Sequence, residues 1–212
     1  MDQSKKILNI LKKVGAIITD SHFVLTSGRH AKAYVNKDFL YLHTQEVSKV
    51  AKIFAQKTKD LDVDVVVGPA LGGIILSQWT AHHLSKIKGK EVLSVYTEKD
   101  PAGNQIFTRG YDKVVAGKKV LLVEDLTSTG GSVKKSMNSI VAAGGKVAGI
   151  AIMANRNPKA VTAELFGVPF FPMAVFEVDS FEEAECPMCK AGVPINTSVG
   201  HGKKFLEAKG LK

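Results

Sequence analysis

Residues 120–132 read Val120-Leu121-Leu122-Val123-Glu124-Asp125-Leu126-Thr127-Ser128-Thr129-Gly130-Gly131-Ser132. The first four residues are apolar without alternation, which is typical of a central strand in a parallel sheet. Two acidic residues follow, and hydroxyl and glycine residues then lead into apolar residues at helical spacing. This stretch therefore predicts a buried strand, a polar turn and the start of a helix.

Segments on both sides of this stretch continue the alternation of strand and helix. Hydrophobic periodicity predicts helices at 4–14, 47–54, 72–86 and 133–141, and strands at 63–67, 91–97, 147–153 and 170–178. We therefore expect an α/β fold with a mostly parallel central sheet flanked by helices. Residues 1–212 are predicted to form a single domain with a small N-terminal/C-terminal hood. The N-terminal helix and the C-terminal Cys-x-x-Cys tail are expected to be appendages of this domain.

The polar residues 98–117 contain several glycines and show no hydrophobic period. Loops of this length without secondary structure are usually functional or disordered. We therefore expect an irregular loop here that is functional or disordered.

The composition, 45% hydrophobic and 23% charged, is that of a globular protein. The sequence has no apolar run of membrane-spanning length and no apolar signal core after Met1, so we expect a cytoplasmic protein without a membrane partner. The net charge of +9 comes from scattered lysines. It suits phosphorylated metabolites, nucleic acid, a membrane surface or simply a solvated protein surface. We expect small anionic substrates and no nucleic acid.

The residues after the central strand combine two kinds of recognition. Glu124 and Asp125 lie where open α/β sheets bind ligands, and carboxylates accept hydrogen bonds from a ribose diol. Residues 127–132 precede a helix N-terminus, whose free N–H groups and dipole favour a phosphate. The pattern predicts a site for a ribose 5-phosphate, although these residues can also serve only as a helix cap and solvated acids.

Residues 120–132 resemble the phosphoribosyl pyrophosphate (PRPP) signature of the type I phosphoribosyltransferases. The resemblance runs from about Phe23 to Arg156 and is greatest to the orotate phosphoribosyltransferases. It implies an enzyme that moves ribose 5-phosphate from PRPP to orotate with Mg²⁺ held mainly by the substrate. It also implies that the loop 98–117 closes as a lid over the site, and that the enzyme is a homodimer in which each lid reaches the partner's active site.

The resemblance assigns roles to three groups of residues. The catalytic candidates are Glu124, Asp125, Lys99 and Arg109, of which Lys99 and Arg109 are alternative lid cations. The PRPP candidates are Ala70, Leu71, Gly72, Lys99, Glu124, Asp125, Leu126, Thr127, Ser128, Thr129, Gly130, Gly131 and Ser132. The orotate candidates are Thr26, Ser27, Gly28, Arg29, Tyr34, Ser128 and Arg156.

The chain departs from the family pattern at two places. Gly72 stands where well-known bacterial members carry a lysine, and the loop 98–117 lacks the histidine of their catalytic loop. Another base, such as a purine or xanthine, therefore stays open as the acceptor, as does a PRPP-sensing regulator on the same fold. A dinucleotide-binding enzyme is disfavoured because no G-x-G-x-x-G follows a strand.

Cys186 and Cys189 form the sequence Cys-Pro-Met-Cys near the C-terminus. Two cysteines cannot make a four-cysteine zinc site within one chain. Reduced structural thiols are the favoured interpretation. A redox pair, a zinc site shared between subunits and a zinc site completed by His201 are the alternatives.

Overall fold

A computed structural model describes residues 2–25 and 27–211 of the chain. The helices are α1 Gln3–Lys13, α2 Asp38–Tyr41, α3 Thr44–Thr58, α4 Gly72–Lys88, α5 Tyr111–Val115, α6 Gly131–Ala142, α7 Ala163–Phe166, α8 Pro187–Lys190 and α9 Gly202–Ala208, with a 3₁₀ turn at Glu183–Glu185. The strands are β1 Ile17–Ile18, β2 Phe23–Val24, β3 His30–Ala31, β4 Tyr34–Val35, β5 Val65–Pro69, β6 Leu93–Lys99, β7 Gln105–Ile106, β8 Lys119–Thr127, β9 Lys146–Asn155, β10 Phe170–Val175 and β11 Ser180–Phe181. Every predicted helix and central strand is present, within a few residues of its expected bounds.

A six-stranded sheet in the order β10-β9-β8-β5-β6-β7 forms the centre of the molecule. All of its pairings are parallel except that of β6 with β7. Strand β8, which carries the acidic pair, therefore lies between β9 and β5 inside the sheet. The predicted α/β class with a mostly parallel sheet is confirmed.

The two faces of the sheet bury separate apolar cores. Leu121 and Val123 of β8 point to the core formed with α1, α3 and α4, whereas Val120 and Leu122 point to the core formed with α5, α6 and α7. Successive side chains of a strand point to opposite faces, so a strand covered on both sides must be apolar at every position. This requirement explains the unbroken apolar run of residues 120–123.

The two ends of the chain form the hood over one end of the sheet. Strands β2, β3 and β11 make a small antiparallel sheet, so the C-terminal segment pairs directly with the N-terminal hairpin. His22 forms an isolated bridge to Ile195, and the His201 amide donates to the Val24 carbonyl at 2.9 Å. Strands β1 and β4 pair beside it. The predicted hood of N-terminal and C-terminal segments is confirmed, and its C-terminal part comes from residues 176–211. Helix α1 is not part of it, because Ile7 and Leu11 are buried in the core on one face of the central sheet.

The helices in the described part of the chain include none with the length and apolar character that crossing a membrane requires.

Candidate active site

Glu124 and Asp125 lie near the carboxyl end of β8 and are both buried, with 6% and 5% of their surface exposed. Glu124 Oε1 accepts from the Asp125 amide at 3.1 Å, and Glu124 Oε2 accepts from the Ser132 hydroxyl at 3.3 Å. Burial, followed by the Asp125 charge, raises the pKa of Glu124 well above its ordinary value. The acidic pair is thus poised to take a proton or a cation.

We expect Glu124→Gln to raise the free energy of unfolding by about 1–2 kcal/mol at neutral pH without ligands, because it removes an uncompensated buried charge. A carboxyl with a raised folded-state pKa stabilises the protein fully below its unfolded-state pKa and loses that contribution as pH rises through the folded-state value. The advantage of the variant should therefore vanish toward the ordinary pKa of 4.5. Urea unfolding of the wild type and of Glu124→Gln, at neutral pH and near pH 4.5, measures the difference in the free energy of unfolding. The same difference at the two pH values would contradict the expectation.

Asp125 is held by groups from the segment that precedes α3. Tyr41 Oη lies 2.8 Å from the Gly72 carbonyl oxygen and 3.2 Å from Asp125 Oδ2, and it can donate its single proton to either. Lys37 Nζ also lies 3.2 Å from Asp125 Oδ2. Burial raises the pKa of Tyr41, and the adjacent carboxylates raise it further. Burial opposes the charge of Lys37, but Asp125 and Asp38 outweigh it and raise the pKa of Lys37.

The turn from β5 to α4 passes directly against Asp125. A Cβ at Gly72 would lie 1.5 Å from Asp125 Oδ2, so no larger residue fits there while Asp125 keeps this position. A Cβ at Gly68 would lie 2.0 Å from the Gly73 carbonyl oxygen, so the turn also needs glycine at its start. The peptide bond between Ala70 and Leu71 is cis. The absence of a lysine at position 72 therefore has a steric reason in this chain.

A cleft of about 570 Å³, here called the acidic cleft, lies between this turn and the end of β8. It brings together most of the residues expected to bind the ribose and pyrophosphate parts of PRPP. Of the predicted residues it is lined by Ala70, Leu71, Gly72, Lys99, Glu124, Asp125, Leu126 and Ser132, and Lys37, Glu98 and Gln105 join them.

The predicted phosphate cradle leads from β8 into α6. Gly130 has a φ of +75° at the start of this helix. Its amide donates to Thr127 Oγ1 at 3.1 Å, and the Gly131 amide donates to Thr129 Oγ1 at 3.3 Å. The hydroxyls thus occupy the amides that a phosphate would use. This geometry is compatible with an anion site and with a helix cap alike.

A second cleft of about 640 Å³, here called the Arg156 cleft, opens on the other side of the cradle. It brings the β2–β3 turn of the hood against the ends of β8 and β9. Its lining includes the predicted orotate residues Ser27, Arg29, Ser128 and Arg156, together with Leu25, Thr129, Asn157, Val178 and Ser180. Gly28 and Tyr34 are not part of the lining, and Thr26 lies outside the described residues.

Arg156 and Arg29 differ in how their guanidinium groups are engaged. Arg29 donates to Ser180 Oγ at 2.9 Å and to the Ser180 carbonyl, and it pairs with Glu182. Arg156 is half-buried, and no carboxylate within residues 2–25 and 27–211 forms an ion pair with it. Burial lowers the pKa of Arg156. An available, partly desolvated guanidinium in a cleft is suited to an anionic ligand.

The expectation of an irregular loop at 98–117 was wrong. Strands β6 and β7 form a hairpin in which Lys99 pairs with Gln105, and α5 follows. Lys135 Nζ of α6 donates to the Gly103 carbonyl at 2.6 Å, which docks the hairpin tip on that helix. Lys99 lines the acidic cleft, whereas Arg109 lies 3.7 Å from Glu98 and outside the lining.

Lys37 and Tyr41 are site residues that the sequence did not reveal. They come from Asn-Lys-Asp-Phe-Leu-Tyr at 36–41, which has no motif spacing, and they meet Asp125 across more than 80 residues of chain. The only sequence feature here is the polar pair Asn36-Lys37 ahead of a short helix, which is too common a pattern to indicate a binding site.

Residues 38–164 match the family model described as phosphoribosyl transferase domain. The chain is 33% identical over 195 residues to an orotate phosphoribosyltransferase of Caldanaerobacter subterraneus subsp. tengcongensis, covering 91% of this chain and 95% of that one. It is 34% identical over 198 residues to the orotate phosphoribosyltransferase of Thermotoga maritima, covering 93% and 100%.

The fold is also similar to a solved structure. Orotate phosphoribosyltransferase of Mycobacterium tuberculosis H37Rv superposes with a TM-score of 0.66 at 22% identity, over 83% of this chain and 97% of that one. The acidic pair, the cradle and the glycine turn thus lie within the matched family region. The chain belongs to the phosphoribosyltransferase family, and the relatives it matches over nearly its whole length are orotate phosphoribosyltransferases.

Proposed function

We propose that this enzyme transfers the ribose 5-phosphate group of PRPP to orotate, giving orotidine 5′-phosphate and pyrophosphate. The observation that carries the proposal is the half-buried Arg156, without a carboxylate partner among the described residues, beside the cleft that contains Glu124 and Asp125. A planar guanidinium matches a carboxylate through two parallel hydrogen bonds. Orotate carries such a carboxylate, whereas purine and xanthine bases do not.

In the proposed complex, PRPP spans the acidic cleft and the cradle. Glu124 and Asp125 accept hydrogen bonds from the ribose hydroxyls, and residues 127–132 hold the 5-phosphate at the N-terminus of α6. The backbone of Ala70–Gly72, with Lys99 and Lys37, faces the pyrophosphate. Orotate lies in the Arg156 cleft, where Ser27, Arg29 and Ser128 complete its surroundings.

The reaction is a displacement at the anomeric carbon. A ring nitrogen of orotate forms the new bond to C1′ while the bond from C1′ to the pyrophosphate oxygen breaks, and the leaving group keeps the bonding electrons. The transition state resembles an oxocarbenium ion, so stabilising the departing negative charge lowers the barrier. Lys99 and Lys37 provide positive charge on the leaving-group side. No covalent nucleophile on the protein is required.

The acidic cleft also fits a magnesium ion carried by PRPP. Carboxylate oxygens are preferred Mg²⁺ ligands, and Glu124 and Asp125 line the same cleft. When bound, Mg²⁺ would neutralise charge on the pyrophosphate and ribose oxygens. Burial raises the pKa of Glu124, which means that the buried carboxylate lacks sufficient compensating charge in the ligand-free protein.

We expect Lys37→Met to raise the KM for PRPP about tenfold, because it removes a cation from the anion-binding cleft at a cost of about 1.4 kcal/mol. Steady-state kinetics with PRPP as the varied substrate measures the change. Lys32→Met is the matched control, since Lys32 is an exposed lysine on the same segment. An unchanged KM in Lys37→Met would contradict the role given to this lysine.

The lid and the assembly belong to the same proposal. The β6–β7 hairpin would leave α6 and close over PRPP, excluding water from the reacting carbon. Closure would break the bond from Lys135 to the Gly103 carbonyl. A cytoplasmic homodimer that shares its lids is proposed with it, by analogy with the family.

The decisive test follows the loss of orotate absorbance with PRPP and Mg²⁺ present. Turnover of orotate, with little or none of adenine, hypoxanthine, xanthine or uracil, is the expected result. Turnover of a purine without orotate would replace orotate as the acceptor. PRPP binding by calorimetry without turnover of any base would favour a sensor over an enzyme.

A further inference from the structure

A second cluster of polar side chains lies in the hood, away from both clefts. Its members are His22, His30, Cys186 and Cys189, and one ligand atom from each lies within 4.8 Å of all the others. Three of the residues are buried, and Cys189 is half-buried. Both cysteines are free thiols. The N-terminal and C-terminal segments thus bring two nitrogen and two sulfur ligand atoms together.

The spacing of these atoms matches a tetrahedral metal site. With Zn–S bonds of ~2.3 Å and Zn–N bonds of ~2.0–2.1 Å, adjacent sulfur and nitrogen ligands lie ~3.6 Å apart. Here His22 Nε2 lies 3.7 Å from Cys186 Sγ and 3.7 Å from Cys189 Sγ, and His30 Nδ1 lies 3.3 Å from Cys189 Sγ. The two imidazole nitrogens are 2.7 Å apart, and a small ring rotation would open them to the ~3.3 Å of a tetrahedron.

The surroundings of His22 also suit a ligand. Its Nδ1 lies 2.8 Å from the Val193 carbonyl oxygen and can only donate to it, which places the lone pair on Nε2, facing the cluster. Metal-bound histidines characteristically donate their other N–H to such an oxygen. His30 faces the cluster through Nδ1, and its buried Nε2 has no hydrogen-bond partner among the described residues.

We propose that His22, His30, Cys186 and Cys189 of one chain bind a structural Zn²⁺ ion. Two neutral imidazoles and two thiolates make one of the established kinds of closed tetrahedral zinc site, and the thiolates balance the charge of the buried ion. Binding converts two thiols to thiolates and releases their two protons to solvent. All four ligands come from the protein, so no position is open for a catalytic water.

The ion would fasten the part of the hood that borders the Arg156 cleft. Leu25 and residues 27–29 lie between β2 and β3, with His22 just before β2 and His30 at the start of β3. The cysteines belong to the C-terminal segment, which otherwise joins this hairpin through β11. A metal at this point would tie two segments more than 150 residues apart in sequence. This role does not depend on which base the enzyme uses.

The metal content of the purified full-length protein is the first test. We expect about one zinc ion per chain by mass spectrometry of elements, and loss of most of it in Cys186→Ser and Cys189→Ser. His82→Ala, which removes an exposed histidine of α4, is the control and should keep the zinc. Chelation should lower the thermal midpoint of the wild type by about 10 °C, and added Zn²⁺ should restore it.

Cobalt substitution decides the matter even if the cysteine variants do not fold. Wild-type protein loaded with Co²⁺ should show the intense visible bands of a tetrahedral site together with thiolate-to-cobalt charge-transfer bands. A weak octahedral spectrum would overturn the proposal. So would a protein that stays free of zinc when purified with added Zn²⁺, or one whose mass shows the loss of two hydrogens to a Cys186–Cys189 disulfide.

Discussion

Asp125→Asn is expected to leave the fold intact and to lower kcat/KM about a thousandfold. The carboxylate is proposed to accept charge-assisted hydrogen bonds from the ribose, each contributing about 1.5–3 kcal/mol. Two such bonds correspond to about 4 kcal/mol, or three factors of ten in rate. The amide is isosteric, and its oxygen can still accept from the Leu126 amide at 2.5 Å. Its NH₂ group would face Lys37 and Tyr41 in place of Oδ2, so we expect some loss of stability with the fold retained.

The control for this variant is Asp60→Asn, which removes an exposed acidic charge outside both clefts. Both variants should show the circular dichroism of the wild type, and only Asp125→Asn should lose turnover. PRPP affinity, measured by calorimetry, separates loss of ground-state binding from loss of transition-state stabilisation. Turnover within tenfold of the wild type would mean that Asp125 does not hold the ribose.

The central sheet could be predicted because its strands follow one physical rule. Strands β8 and β9 are covered on both faces, so apolar residues fill nearly every position and the signal is continuous. The helices between them show a 3.6-residue period for the same reason, since one face of each is buried. The two-residue strands of the hood have too few residues for any period, and only tertiary pairing defines them.

The acidic pair and the cradle were predictable because they are contiguous in sequence. A single strand, turn and helix places residues 124–132 around one point, so their spacing in sequence is enough to predict that they lie close together. Lys37 reaches Asp125 only through the packing of α2 and α3 on the sheet, which no local pattern encodes. Only half of the proposed zinc site could be predicted from the sequence. Cys186 and Cys189 have the spacing of metal ligands, but the two histidines lie more than 150 residues away in sequence.

The loop 98–117 shows how a polar composition can hide regular structure. The hairpin is held by the Asp100 side chain, which accepts from the Asn104 amide at 2.7 Å and from its side chain at 3.0 Å. Thr97 Oγ1 donates to Gln105 Oε1 at 2.8 Å inside the protein. Polar side chains therefore hold this hairpin together in place of apolar contacts, and a search for hydrophobic periodicity cannot detect them.

Arg156→Leu is expected to raise the KM for orotate by two to three factors of ten and to leave PRPP affinity unchanged. Removing one partner of a desolvated, doubly hydrogen-bonded charge pair costs about 3–4 kcal/mol, because the other charge is left unpaired. Arg156→Lys keeps the charge without the planar fork and should fall between the wild type and Arg156→Leu. Lys159→Ala removes an exposed cation three residues farther along the same loop and should change neither constant.

The Arg156 variants can distinguish the two substrates because orotate and PRPP are proposed to bind in separate clefts. The guanidinium lies in the Arg156 cleft and the acidic pair lies in the other cleft, with the cradle between them. A variant that weakens orotate alone therefore assigns the first cleft to the base and the second to PRPP. Equal losses for both substrates would instead mean that Arg156 acts through the cradle, whose Thr127 carbonyl accepts from the Arg156 amide at 2.8 Å. In that case the carboxylate of the base must be recognised by other residues, and Arg29 on the opposite wall of the cleft is the next cation to test.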